Sequence, residues 1–135
     1  LGAILRSAEF FGAGGAFWAR DRSAALSAAA IRASAGATER LPLCAVTNLS
    51  RALTQLREQD YWIVGTVVDG GESMYSLTSK LPDRIVLVMG SEEQGIRRLT
   101  REHCDYLLSI PAGGTLGSLN VSAAAAAVLA ILRAP

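Results

Sequence analysis

The sequence is short of the features that mark metal-binding, secreted or membrane-spanning proteins. It holds only two cysteines, Cys44 and Cys104, with no CxxC spacing and no histidine pair near either. That pattern argues against a zinc site and leaves two reduced, partly buried thiols as the expectation. His103 is the only histidine, and it falls in a charged stretch where a surface position is expected. No secretory n-region or h-region is visible. The longest apolar run, residues 121–132, is rich in alanine. It is shorter than the roughly 20 residues a bilayer crossing needs, so a buried helix is expected there. Charge is also scarce, at 19% of residues with a formal net charge of +1. No overall field therefore announces a nucleic-acid partner. Lys80 is the only lysine, and the remaining basic residues are arginines. Arginine suits bidentate phosphate recognition, although a GC-rich genome produces the same bias.

What is present points to a folded chain. Half of the 135 residues are hydrophobic, enough to build a core and too many for a disordered segment. The length fits one domain, residues 1–135. The chain begins at Leu1 inside a helix-forming stretch, as a fragment of something longer would.

Hydrophobic periodicity organises the chain. Ile4, Leu5, Ala8 and Phe11 have helical spacing, with Gly12 as the stop. A short buried strand is expected at residues 16–19. A helix capped by Ser23 is expected to run to about Ser34 and close at Gly36. Residues 43–46 read as a second strand. Asn48 is placed to cap a helix in which Leu49, Ala52, Leu53 and Leu56 form one apolar stripe. Residues 61–68 are aromatic and β-branched, a strand ended by Asp69, Gly70 and Gly71. A polar stretch follows. Residues 85–89 form a continuous apolar run, as in a strand covered on both faces. A glycine-bounded loop (90–95), a short helix (96–103), a strand (107–110), a glycine-rich loop and an alanine-rich helix (120–133) complete the pattern. Such alternation predicts an α/β fold with a mostly parallel sheet and helices on both faces.

Three segments sit where parallel α/β sheets bind ligands, just beyond strand ends. The first is Gly90-Ser91-Glu92-Glu93-Gln94-Gly95. It is neither a Walker A loop nor a dinucleotide fingerprint. Its carboxylates would repel phosphate, so Glu92 suits a ligand with hydroxyls or a positive centre. A solvated surface turn explains it equally well. The second is Ile110-Pro111-Ala112-Gly113-Gly114-Thr115-Leu116-Gly117, whose free backbone groups suit the edge of a base, or simply make a flexible connection. The third is Ser118-Leu119-Asn120-Val121-Ser122, where helix capping alone explains Ser118 and Asn120. On the first helix, Arg6 pairs with Glu9 at i+3 or binds an RNA phosphate. Arg97, Arg98 and Arg101 contact phosphate or form a solvated face.

Order and spacing resolve what each segment leaves open. Leu1-Gly2-Ala3-Ile4-Leu5-Arg6-Ser7-Ala8 with Phe11-Gly12 resembles a first motif. Val86-Leu87-Val88-Met89-Gly90-Ser91-Glu92 through Gly95 resembles a second. Ile110-Pro111 with Ser118-Leu119-Asn120-Val121-Ser122 resembles a third. Together they resemble the SpoU/TrmH class of SPOUT methyltransferases over nearly the whole chain. Val46-Thr47-Asn48-Leu49, Trp62-Ile63-Val64-Gly65-Thr66 and the stretch from Arg97 to Asp105 are similar to the bacterial enzymes that methylate a guanosine of 23S rRNA.

The resemblance implies an α/β fold with a C-terminal trefoil knot, which general topology rules alone would not predict. It implies S-adenosylmethionine as methyl donor, S-adenosylhomocysteine as product, no metal and an RNA ribose 2′-hydroxyl as acceptor. Donor-binding positions would be Gly90, Ile110 and Leu119, with Gly65, Thr66 and Met89 beside them. Arg6 would act on the substrate, with Glu92, Ser118 and Asn120 orienting it, the ribose or both. A homodimer in the bacterial cytoplasm, with ribosomal RNA as partner and no membrane, is implied. The chain departs from the family pattern in lacking an asparagine before Leu1, in carrying Glu93 where glycine is common, and in Ala112 and Ala123, which replace larger residues. The separate N-terminal RNA-binding domain of such enzymes is also absent from it. Three other readings remain: a tRNA guanosine-2′-O-methyltransferase, a nucleotide-binding domain without catalysis, and a family member that binds RNA without activity.

Overall fold

A computed structural model describes residues 1–20, 26–91 and 95–133. They fall into two compact units, one comprising Leu1–Leu49 with Ala125–Pro135 and the other Ser50–Ala124.

In the first unit, helix α1 (Gly2–Phe10) buries Leu5 and Ala8. These pack with Ala37 and Leu41, and Ala16, Leu43 and Leu129 close the cluster from the side. Strands β1 (Ala16–Ala19) and β2 (Leu43–Val46) pair in parallel, Ala16 opposite Leu43. Both strands match the sequence expectation. The alanine helix does not. Helix α2 (Ala28–Ala33) starts at Ser27, whose hydroxyl accepts from the Ala30 N–H at 3.1 Å. Ser23, the expected cap, lies outside the described residues. Gly36 opens a further one-turn helix, α3 (Ala37–Arg40), rather than closing the chain segment. Cys44, on β2, is exposed and not partly buried, because strand alternation turns it away from Leu43 and its cluster.

The second unit carries a fully parallel four-stranded sheet, ordered β4 (Glu72–Ser73), β6 (Tyr106–Ser109), β3 (Trp62–Thr66), β5 (Ile85–Val88). Ile63 and Val64 of β3 and Leu108 of β6 have no accessible surface. The apolar runs on these strands thus reflect coverage on both sides of the chain. Helix α4 (Leu49–Glu58) contributes Leu53, also fully buried. The stretch read only as polar forms β4, the one-turn helix α5 (Met74–Leu77) and a 3₁₀ turn at Thr78–Lys80. Ser73 caps α5, and Met74 and Leu77 are buried three residues apart. Elements this short offer no periodicity to read.

Helix α6 (Arg98–Glu102) is shorter than expected. Arg97 is extended, with φ −64° and ψ 149°, so the helix starts at Arg98, two residues later than expected. Helix α7 (Val121–Arg133) runs from the second unit into the first, burying Ala125 and Val128. No helix among the described residues is long and apolar enough to cross a membrane.

Candidate active site at the carboxyl ends of the strands

Parallel pairing puts the carboxyl ends of β3, β5 and β6 on one edge of the sheet. Gly65 stands opposite Val88 and Thr66 opposite Leu108. The residues just past these pairs are Met89, Gly90 and Ile110. The structure therefore gathers Gly65, Thr66, Met89, Gly90 and Ile110 along the edge where open α/β sheets hold ligands. The Thr66 hydroxyl donates to the Val88 carbonyl at 3.2 Å and lies 3.7 Å from the Met89 sulfur. It ties the end of β3 to the exit of β5.

The loop after β5 has a tight stem. Ser91 N–H donates to the Gly95 carbonyl at 3.1 Å, and Gly95 N–H donates back to the Ser91 carbonyl at 2.9 Å. A side-chain carbon on Gly90 would sit 2.3 Å from the Gly95 carbonyl carbon and 2.5 Å from the Ile96 nitrogen. Backbone atoms cannot yield as a side chain can, so only glycine fits at position 90. Glu92 lies outside the described residues.

Gly65 is glycine for a different reason. A Cβ there would meet Cys104 Sγ at 2.6 Å and Ile96 Cδ1 at 2.8 Å. Ile96 thus leaves the loop stem and packs down on β3, anchoring the loop's far end. Burial pushes the Cys104 thiol up in pKa; the Asp105 carboxylate adds to this, and Arg101 and Arg57 work against it. Cys104 is the reduced, partly buried thiol expected from the sequence, whereas Ile96 did not stand out, since an isolated apolar residue beside a polar loop carries no local signal.

After β6 the chain changes character. Residues 111–120 are all exposed, including Leu116 at 81% and Leu119 at 54%. Among the described residues, no backbone hydrogen bond beyond the helices and strands involves 111–119. Their C=O groups, and the N–H groups from Ala112 on, are open to a ligand or partner. Ser118 is exposed. The Asn120 side-chain carbonyl oxygen accepts from Ala123 N–H at 2.8 Å and from the Ser122 hydroxyl at 2.9 Å. Asn120 is therefore the cap of α7, and its amide nitrogen remains as a donor.

Arg6 belongs to the first unit, exposed on α1. It forms no ion pair with Glu9, the plain alternative for it. Among the described residues no cluster of three or more His, Cys, Asp or Glu side chains is placed to hold a metal.

The profile of the SpoU rRNA Methylase family matches residues 1–130. The chain belongs to the SpoU rRNA Methylase family. Among its relatives in this family is the 23S rRNA (guanosine-2′-O-)-methyltransferase RlmB of Salmonella typhi, 51% identical over 124 residues that cover 92% of this chain and 50% of the relative. The RlmB of Escherichia coli K12 is 50% identical over the same shares. The chain thus spans about half the length of the curated relatives it matches. Among solved structures, a putative RNA methyltransferase of the TrmH family from Porphyromonas gingivalis superposes with a TM-score of 0.85 at 32% identity, over 98% of this chain and 53% of that one. The SpoU methyltransferase AviRb from Streptomyces viridochromogenes, solved in complex with AdoMet, superposes with a TM-score of 0.86 at 28% identity, over 98% and 53%. These neighbours agree with the mostly parallel α/β fold expected from the SpoU-type motifs.

Proposed function

We propose that residues 1–135 form the catalytic domain of an S-adenosylmethionine-dependent RNA 2′-O-methyltransferase acting on a guanosine of 23S rRNA. The observation that carries this reading is the convergence of Gly65, Thr66, Met89, Gly90 and Ile110 on one sheet edge, in a chain half identical to RlmB enzymes over most of its length. The residues fit a nucleoside donor. Met89 and Ile110 offer half-buried apolar contacts, Leu119 an exposed one, and the backbone from 111 to 119 offers unpaired groups for a base edge. In this reading the two units act as one domain, knotted as a C-terminal trefoil. It works as a cytoplasmic homodimer, with no metal.

The donor supplies an electrophilic methyl group on a sulfonium. The chain's part is alignment and stabilisation of the charge that develops on the acceptor oxygen. Thr66 and the closed stem at Ser91–Gly95 hold the strand-end loops in place for that alignment. A guanidinium does not give up its proton in proteins, so a literal general-base role is not assigned to Arg6. Its guanidinium binds the RNA phosphate and stabilises the developing 2′-alkoxide as the hydroxyl proton passes to bulk water. Glu92, Ser118 and the amide nitrogen of Asn120 orient the ribose.

Calorimetric titration with S-adenosylhomocysteine, ATP and NAD tests the donor, and methyl transfer to purified 23S rRNA fragments and tRNA tests the acceptor. S-adenosylhomocysteine should bind in preference to both nucleotides, and 23S rRNA should be the better acceptor. Arg6→Ala should keep S-adenosylhomocysteine binding while methyl transfer drops by about a hundredfold or more, the scale of losing one stabiliser of developing charge. Preferential binding of ATP or NAD would mean a nucleotide-binding domain instead, and full activity in Arg6→Ala would remove Arg6 from the mechanism.

A further inference from the structure

With a net charge of only +1, this chain has no global field to gather RNA, so attraction has to come from local groups. The arginines of the second unit differ sharply in how they are used. Arg57 is held by the Asp105 carboxylate at 3.1 Å and by the His103 carbonyl. Arg84 lies 4.5 Å over the Tyr61 ring and donates to the Gln59 carbonyl at 3.0 Å. Arg98 pairs with Glu102 at 3.4 Å. Arg97 and Arg101 are exposed and form no ion pair among the described residues.

These two arginines are also well placed. Arg97 is the N-cap of α6 and its carbonyl accepts from the Arg101 N–H at 2.8 Å, so the two residues bracket the first turn of that helix. Arg97 follows Ile96, the residue that anchors the 90–95 loop on Gly65. The Arg101 guanidinium reaches Gly70, with Nη2 3.7 Å from where a Cβ would stand on it, and Gly70 lies in the turn that leaves β3. One guanidinium is thus sequence-adjacent to the donor loop and the other lies against the exit of a strand that forms the candidate site.

We propose that Arg97 and Arg101 form a phosphate-binding edge that takes the backbone of the substrate RNA beside the donor loop. The proposal rests on the RNA-methyltransferase reading and adds where the acceptor strand runs. Phosphate contacts of this kind set register and affinity without reading sequence.

The test compares Arg97→Gln, Arg101→Gln and the double variant with Arg98→Gln, using the full chain and a 23S rRNA transcript. Affinity is measured by fluorescence anisotropy over a series of salt concentrations. Removing one arginine–phosphate interaction should flatten the slope of log affinity against log salt by about 1. The double variant should therefore lose about two units of slope and bind roughly tenfold or more weakly at moderate salt. Arg98→Gln should change less, its guanidinium being already paired. Arg101→Lys should keep most of the slope, because the charge remains. Unchanged S-adenosylhomocysteine binding in the same variants shows that the fold survives. A wild-type slope in the double variant overturns the proposal and leaves the methyl-transfer reading standing. A wild-type chain that binds RNA but transfers no methyl group sinks the functional reading, while the slopes still decide the role of the arginines.

Discussion

The two edges of the second sheet are held together by different means. At the amino edge, polar side chains close the structure on itself. Asp105 accepts from the Ile63 N–H at 2.8 Å and from Arg57 at 3.1 Å, while its own N–H donates to the Ile63 carbonyl at 2.8 Å. Trp62 N–H donates to the Arg84 carbonyl at 2.9 Å. At the carboxyl edge the contacts are close approaches made possible by glycine, backbone on backbone at Gly90 and the Ile96 and Cys104 side chains on Gly65, with the Thr66 hydroxyl as the main polar side-chain tie. One edge consumes its polar groups in holding the fold. The other keeps backbone groups in reserve, as a ligand site must. Damage to the first edge should therefore register as lost stability, and damage to the second as lost binding.

The largest effect is expected from Gly90→Ala. Its new methyl group would stand 2.3 Å from the Gly95 backbone, so the loop stem has to open. S-adenosylhomocysteine affinity should fall about a hundredfold, or ~2.7 kcal/mol. The melting temperature should fall by no more than a few degrees, because the loop is not part of the buried core. Titration calorimetry and a thermal scan on the same sample separate the two. A large drop in melting temperature with affinity intact would erase the contrast between the edges.

Asp105→Ala attacks the opposite edge. Ile63 is fully buried, and its N–H would lose its carboxylate partner. Leaving such a donor unsatisfied costs about 2 kcal/mol. The Arg57 pair adds less than about 1 kcal/mol, since the Arg57 side chain is 44% exposed. Urea unfolding should show this loss while S-adenosylhomocysteine affinity in the folded protein stays within about twofold. Asp105→Asn should recover part of the stability, because the amide oxygen can still accept from Ile63.

The contrast between edges also explains what the sequence made legible. Strands at residues 16–19 and 43–46 were readable because they are short continuous apolar runs, and the loop at 90–95 because glycines bracket it. The mostly parallel α/β sheet followed from that alternation. Asp105 was not readable as a clamp: its partners, Ile63 and Arg57, are more than forty residues away in the chain. Ser27 caps α2, whose start the alanine run offers no periodicity to fix, and Ser23 lies outside the described residues. Asn120 was legible only as an alternative between capping and substrate contact. The cap is formed, and that leaves half of its amide uncommitted. Gly65 was assigned to the donor by resemblance. Its missing side chain is explained by Cys104 and Ile96 beneath the strand, which does not conflict with a backbone role at the site.

The smallest expected effect concerns Cys104, which links the two edges by sitting between Gly65 and Asp105. Its thiol is pushed up in pKa, first by burial and then by the Asp105 carboxylate. An acid whose folded pKa is raised ionises first in the unfolded chain. Its contribution to stability is therefore complete below the ordinary thiol range, about 8.5, and declines as pH rises through the raised folded value. Wild-type protein should lose more stability between pH 7 and pH 9.5 than Cys104→Ser, measured as urea midpoints. Asp105→Asn should shrink the difference, since it removes the second cause of the shift and leaves burial alone. Equal pH dependence in wild type and Cys104→Ser would show that the thiol is solvated in solution. The packing of Ile96 and Cys104 on Gly65 would then be looser than the close approaches at the carboxyl edge require.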